Sequence, residues 1–292
     1  MEEITLPNSL KILDDFAISR NYELKKINFG NGLEKIGTGG LKDNIKLQSV
    51  ILPQSCVLIN KQLSPAYTGA NINYNAVGLL ENNISLKEVD FGRVTEIPQR
   101  TCLGTAIQNV VIPNTVENIG EYAFYSCTSL KTVVFEKNSV CKEIEDNAFA
   151  QCTLLESVTG GVALERFGLN VFNGANPTLR EFDFSDANQW FSDGLFYKTS
   201  IETARIGTKV TIIPKSMFGY SNIKDLYISG NVKEIRAGAL YLCSNLKNIY
   251  YNGTLSDWKK ISKELGWTDN ETAKNCTIHF KDGTSIMLSE AT

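Results

Sequence analysis

Apolar residues return along this chain in one arrangement. An isoleucine or phenylalanine is followed five residues later by a second apolar residue, and five to seven residues after that by a triplet of the form Leu-x-x-Val-x-Phe. The central, anchoring position falls at Leu41, Leu80, Cys102, Phe124, Phe149, Phe172, Phe196, Phe218 and Leu240, with Ala17 the expected first member. From Leu80 to Leu240 the interval stays between 22 and 25 residues. The earlier partner is Ile97, Ile119, Ile144, Phe167, Phe191, Ile213 or Ile235. The triplets run from Leu24-Ile27-Phe29 through Leu130-Val133-Phe135 to Leu246-Ile249-Tyr251; Leu155-Val158-Thr159 and Ile201-Ala204-Ile206 are the weaker members.

Residues two apart in a strand point the same way, so each triplet predicts a short strand with one apolar side. A unit of about 23 residues cannot close its own apolar face, and neighbours must stack to bury it. Strands of successive units then pair in parallel about 4.8 Å apart, and about ten units make a body roughly 45 to 50 Å long. Pro53, Pro113 and Pro214 follow strand positions, where a residue without an N–H stops the pairing.

The stretch "VVIPNTVENIGEYAFYSCTSLKTVVF" at 110–135 carries the whole unit, and "EIEDNAFAQCTLLESV" at 143–158 and "KEIRAGALYLCSNLKNI" at 233–249 repeat most of it. This motif resembles the BspA-like leucine-rich repeat family of bacterial and protist surface proteins. The likeness covers almost the whole chain; the early units depart from it, with Ala17, Leu41 and Leu80 in place of the phenylalanine. The expected fold is a leucine-rich repeat solenoid over 1–251, mostly β with short helical turns. It is expected to form a curved right-handed stack of about ten coils with a parallel sheet. The resemblance implies adhesion to host or neighbouring cells, hence an extracellular or cell-surface protein whose signal is not present in this sequence.

After Tyr250 the pattern stops. A solenoid end needs a cover, and 252–292 reads as a C-terminal cap. Ser256 is the expected helix N-cap, Trp258, Ile261 and Leu265 share a face, and Gly266 ends the helix. A hairpin follows, with Ile278 and Phe280 on one strand, Asp282-Gly283 at the turn, and Ile286 and Leu288 on the other. The third unit spends 21 residues between Ile59 and Leu80, and its extra segment near 64–78, with Tyr67 and Tyr74, reads as an excursion loop of the kind that sometimes binds.

Composition and charge narrow the function classes. With 42% hydrophobic and 21% charged residues in 292, and a net charge of −3 with scattered Lys and Arg, the chain lacks the footprint of a nucleic-acid binder. No apolar run approaches the roughly 18 residues of a membrane span. The only histidine, His279, has no visible catalytic or metal partner and reads as a cap residue. Cys127, Cys152 and Cys243 lie three residues after their anchors, where other units have Ala175 and Thr199, and read as buried packing groups. Cys127 and Cys152 fall in consecutive coils, yet parallel-stacked side chains rarely meet disulfide geometry. No nucleotide-binding or hydrolase motif occurs. An enzyme is not expected, nor any cofactor or metal.

What remains is the surface. The residues flanking each central strand position face outward, and most of these pairs are polar; Arg205, Tyr227 and Tyr250 form the one aromatic cluster. Rigid amphipathic rings of this kind suit a protein interface. They could equally stack on sugars, or pair across strands for stability alone. The expectation is a protein ligand bound at the sheet face through Arg205, Tyr227 and Tyr250, with Tyr67 and Tyr74 as further candidates; a carbohydrate-binding surface module is the alternative.

Overall fold

Alternation along each triplet fixes what is inside. The computed structural model describes residues 1–59, 77–161, 163–174, 181–183 and 192–291. Val110 and Val133 are at most 1% exposed, whereas their neighbours Val111 and Val134 are 51% and 40% exposed. Eight such strands, Asn109–Ile112, Thr132–Phe135, Ser157–Thr159, Glu181–Asp183, Thr203–Arg205, Asp225–Ser229, Asn248–Asn252 and Thr277–Phe280, pair in parallel, and Ser285–Met287 closes the row as an antiparallel ninth. Toward the N-terminus the row continues with Glu3–Thr5 beside Lys26–Asn28 and Ser49–Ile51 beside Glu88–Asp90. Bonds from Gln48 N to Lys25 O (3.2 Å) and from Gln108 N to Lys87 O (3.3 Å) join these pairs to the rest. The chain is thus a parallel-sheet leucine-rich repeat solenoid with a few short helices.

Two details differ from the sequence pattern. Glu3–Thr5 is an additional strand without a leading leucine, in register through Ile4 opposite Ile27. The last inward position after Val158 is Gly160, not Thr159, which pairs with the outward-facing Val134. Gly160 has φ +86°, and a side chain there would strike the Phe135 carbonyl at 2.7 Å.

Among the described residues the earlier apolar partners lie on two-residue strands in a second parallel row, as in Glu96–Ile97, Asn118–Ile119, Glu143–Ile144 and Arg166–Phe167; Phe191 lies outside the described residues. Pro214 follows this second row, after Ile212–Ile213, whereas Pro113 follows the long one.

Between the rows the chain turns around the anchor. Phe124 N donates to Ala148 O (2.8 Å), Phe149 N to Val171 O (3.0 Å) and Phe218 N to Ala239 O (2.9 Å), one coil ahead. The same bond from Ile18 N to Gly40 O (2.9 Å) makes Ile18, not Ala17, the first anchor. Only one of two adjacent residues can face inward here, and Ile18 is buried while Ala17 is exposed. Two residues before and after the anchor the backbone is left-handed, with φ 57° at both Tyr122 and Ser126, and 54° and 59° at Ser216 and Tyr220. The anchors Phe124, Phe149, Phe172, Phe196 and Phe218 are fully buried. Their rings stack with centroids 5.0 to 5.9 Å apart and planes within 16°. Each buried ring contributes about 3 kcal/mol.

Three residues past the anchor runs a buried polar column. Asn44 Nδ2 donates to Ile18 O (2.7 Å) and Leu41 O (2.8 Å), and Asn83 Nδ2 to Leu41 O (3.0 Å). In later coils a thiol takes this place: Cys127 Sγ donates to Cys102 O (3.1 Å), Cys152 to Phe124 O (3.2 Å) and Cys243 to Phe218 O (3.0 Å). Asn44 and Asn83 thereby serve the buried carbonyls of Ile18 and Leu41, whereas the thiols add a second donor to carbonyls that already accept a backbone N–H, as Phe124 O does from Cys127 N (3.2 Å). The cysteines are free and buried, and burial pushes the thiol of Cys127 up to about 11 and that of Cys243 to about 12. They are donors in a structural column, without the thiolate character of nucleophiles.

The insertion expected near 64–78 lies almost wholly outside the described residues, but the coils on either side of it stack directly, Leu41 N donating to Leu79 O (3.2 Å). Glu81 anchors this junction. Its carboxylate accepts from Arg100 Nε (3.1 Å) and Nη2 (3.0 Å), Lys42 Nζ (2.9 Å) and the Gly78 N–H (3.0 Å). Burial alone would raise its pKa; these donors outweigh burial and leave it lowered.

In 252–292 the helix is Leu255–Lys260, capped by Thr254, not Ser256, because Thr254 and Asp257 form a reciprocal capping box. The Thr254 hydroxyl and N–H pull Asp257 down to about 2. The helix ends at Ile261, well before Gly266, and Leu265 is 98% exposed rather than on the packed face. A second helix spans Asn270–Asn275, and Leu288 opens a third, Leu288–Ala291, after the second hairpin strand has ended at Met287. Trp258 is fully buried. Lys263 stands opposite Ile235 at the end of the second row, where its ammonium donates to Trp258 O (2.9 Å) and Ile261 O (3.1 Å). A charged residue in an apolar column ends the stacking at this side.

Candidate functional site

The long sheet shows two outward rows, one on each side of the central buried position. The first includes Thr203, Asp225, Asn248 and Thr277; the second includes Arg205, Tyr227, Tyr250 and His279, all in parallel register. Parallel pairing without slip brings each member directly beside the same position of the next coil. The second row becomes a ladder. The Arg205 guanidinium lies 3.9 Å from the Tyr227 ring centre, Tyr227 stacks on Tyr250 at 4.6 Å and 16°, and Tyr250 stacks on His279 at 5.0 Å and 19°.

Both faces of each tyrosine ring are therefore taken, Tyr227 between Arg205 and Tyr250, Tyr250 between Tyr227 and His279. The rings offer edges and hydroxyls to solvent, not faces. The first row braces the end of the ladder: Asn248 Nδ2 donates to Asp225 Oδ1 (2.7 Å), and Asn248 Oδ1 lies 3.0 Å from His279 Nε2. With the amide so oriented, the imidazole Nε2 carries the hydrogen in this contact. Partial burial, and then the Asp225 carboxylate, raise the Tyr250 phenol.

Beside the ladder, toward the strand ends, lies a groove of about 440 Å³. The residues after the ladder members, Ile206, Ile228, Tyr251 and Phe280, turn inward and form its floor, each at most 6% exposed. Gly230 and Gly253 directly follow its lining residues Ser229 and Asn252, and an added side chain there would collide with the Asn252 carbonyl and the Tyr251 ring.

Arg205, Tyr227 and Tyr250 are thus brought together as the register of the triplets predicts. Tyr67 and Tyr74 lie outside the described residues. His279 is the member that sequence reasoning missed. Read as one strand of a separate hairpin it has no neighbours, but "TIHF" at 277–280 aligns with "NIYY" at 248–251, which places His279 on Tyr250. A second set of tyrosines, Tyr197, Tyr220 and Tyr241, lies on the turn side with centroids 5.5 and 5.8 Å apart, packed edge-on.

Among the described residues no group of three or more His, Cys, Asp or Glu is placed to hold a metal ion. No helix there is long and apolar enough to cross a membrane.

The model of the BspA type leucine rich repeat region matches in six copies, over residues 1–93, 71–177, 95–221 and 142–263. The chain belongs to the BspA-type leucine-rich repeat family. No curated protein matches it in sequence. Among solved structures it is similar to a leucine-rich repeat protein from Bacteroides ovatus, at 17% identity and TM-score 0.55, over 96% of this chain and 66% of that one. It is also similar to the pneumococcal vaccine antigen PcpA, at 19% identity and TM-score 0.49, over 89% of this chain and 64% of that one. A third, the leucine rich repeat protein of T. pallidum, has 22% identity and TM-score 0.49, over 59% of this chain and 75% of that one. The first of these speaks for the fold alone. The chain spans just under two thirds of the length of the first two.

Proposed function

We propose that this BspA-type protein is a non-catalytic recognition protein, exported and held at a bacterial cell surface, which engages another protein through the outward face of its long sheet. The observation that carries this reading is the ladder Arg205–Tyr227–Tyr250–His279. Its side chains are ordered by register before any partner arrives, so they lose little freedom on binding, and Tyr and Arg are the residue types that dominate interface energetics. Family membership supports the surface placement and, with it, adhesion to host or neighbouring cells. The carbohydrate alternative draws less support from this geometry, because sugar stacking needs an open ring face and the ladder covers both faces of each tyrosine.

The test is retention of the purified chain on immobilised extracellular-matrix proteins, alongside a glycan array, for wild type and Tyr227→Ala/Tyr250→Ala. The expected outcome is retention on one or more proteins, lost in the double variant, with no glycan signal. Retention that ignores the double substitution, or binding to glycans alone, contradicts the proposal.

A further inference from the structure

The two ends of the solenoid are finished differently. At the C-terminal end Lys263, three short helices and an antiparallel strand close the stack. At the other end the first coil is an ordinary repeat, "ITLPNSLKIL" at 4–13 matching "VVIPNTVENI" at 110–119 position for position. Its inward residues lack a neighbour on one side. Ile4, Leu6 and Leu10 are only partly buried, whereas Val110, Ile112 and Val116 at the same positions are at most 1% exposed.

The edge of this coil is open as well. Bonds in a parallel pair alternate residue by residue; Lys26 N donates to Glu2 O (3.2 Å) and Leu6 N to Asn28 O (2.9 Å), with Ile4 opposite Ile27. Glu2, Ile4 and Leu6 thus turn their main-chain groups to the second coil, and Glu3 and Thr5 turn theirs away from it. The charged side chains also lean back. Glu2, Glu3, Lys11, Arg20 and Glu23 pair with Lys25 (2.8 Å), Lys26 (3.3 Å), Glu34 (2.7 Å), Asp43 (3.7 Å) and Lys46 (2.6 Å) of the second coil, and Asp15 accepts from the Thr38 N–H (2.7 Å). Among the described residues only Asp14, of the charged side chains on this coil, lacks such a partner. An edge without guarding charges is a pairing surface.

From this we infer that the face binds a second copy of the chain, the two Glu3–Thr5 strands pairing antiparallel about a two-fold axis at Ile4. The face is complementary to itself. Glu3 then stands opposite Thr5 of the second copy and Thr5 opposite its Glu3, so the outward main-chain groups form four hydrogen bonds and no two carboxylates face each other. A single strand of another protein would fill the edge but leave the apolar layer behind it bare. The closed C-terminal end prevents head-to-tail stacking, and the assembly stops at a dimer. Such a dimer carries two Arg205–His279 ladders at its far ends, roughly 90 Å apart, and can engage a surface through both. The inference does not depend on the recognition reading.

Sedimentation equilibrium of the full chain is expected to give twice the mass of one chain. Thr5→Pro removes an outward N–H and leaves the bonds to the second coil; it is expected to weaken the dimer at least tenfold with unchanged circular dichroism. Opposed non-hydrogen-bonded residues of an antiparallel pair have Cα atoms about 4.5 Å apart, so Ile4→Cys is expected to form an intermolecular disulfide under mild oxidation. Thr5→Cys lies more than about 7 Å from its copy and is expected to stay reduced. A monomeric wild type overturns the inference and leaves the edge to a strand of another protein or to residues ahead of Met1. A dimer indifferent to Thr5→Pro, or equal cross-linking at the two positions, overturns it as well.

Discussion

Two ring stacks run through this molecule at the same coil spacing, and they differ in one respect. Inside, Phe124, Phe149, Phe172, Phe196 and Phe218 stack with nothing exposed. Outside, Tyr227, Tyr250 and His279 stack as closely but stand half in solvent with polar edges outward. Stacking alone is therefore no sign of function, since any residue repeated at one position of a parallel solenoid meets its copy. What separates the columns is water. The inner one is bound to stability by the area it removes from solvent, whereas the outer one buries less, so that changing it is expected to cost less.

Substitutions sharpen this contrast. Phe149→Ala removes a ring from between Phe124 and Phe172 and leaves a cavity, and chemical denaturation is expected to show a loss of about 4 kcal/mol. A loss below about 1 kcal/mol would mean that the column is not a packed interior. Glu81→Gln, at the junction beside the insertion, removes the carboxylate that Arg100 and Lys42 share, leaving Lys42 only Asp43 at 3.5 Å, and costs about 3 kcal/mol near neutral pH. Because the folded-state pKa of Glu81 lies below the unfolded value of 4.5, its contribution is complete above that value and fades as pH falls through the folded pKa. The gap between wild type and Glu81→Gln is thus expected to narrow in acid. A gap that widens below about pH 4.5 contradicts the assignment. At the small end, Ser126→Gly relieves a left-handed residue and raises stability by about 0.5 kcal/mol, the relief exceeding slightly the entropy that glycine adds to the unfolded chain. A destabilised variant would show that Ser126 holds more than a backbone angle.

The inner column was legible in the sequence because phenylalanine is conspicuous and its interval regular; so was the cluster of Arg205, Tyr227 and Tyr250, once the triplets fixed which residues face out. Elsewhere the pattern changes residue type while keeping its job. The polar column is asparagine at 44 and 83, threonine at 105 and 199 and cysteine at 127, 152 and 243, so only its cysteine members are visible by letter, although all of them serve anchor carbonyls. Ala17 and Ile18 are adjacent apolar residues, and only the hydrogen bond to Gly40 decides between them. His279 escaped for a reason of register. The hairpin that holds it is also the next rung of the sheet, a fact set by tertiary pairing and not by local spacing.

The account turns on the outer ladder serving recognition rather than stability, and one paired measurement addresses that directly: equilibrium unfolding and matrix-protein retention of Tyr227→Ala/Tyr250→Ala beside wild type. The prediction is a stability loss of about 1.5 kcal/mol, the scale of exposed cross-strand ring pairs, together with loss of retention. A loss of about 4 kcal/mol or more with retention unchanged in the folded fraction would place these tyrosines with the inner column and contradict the claim.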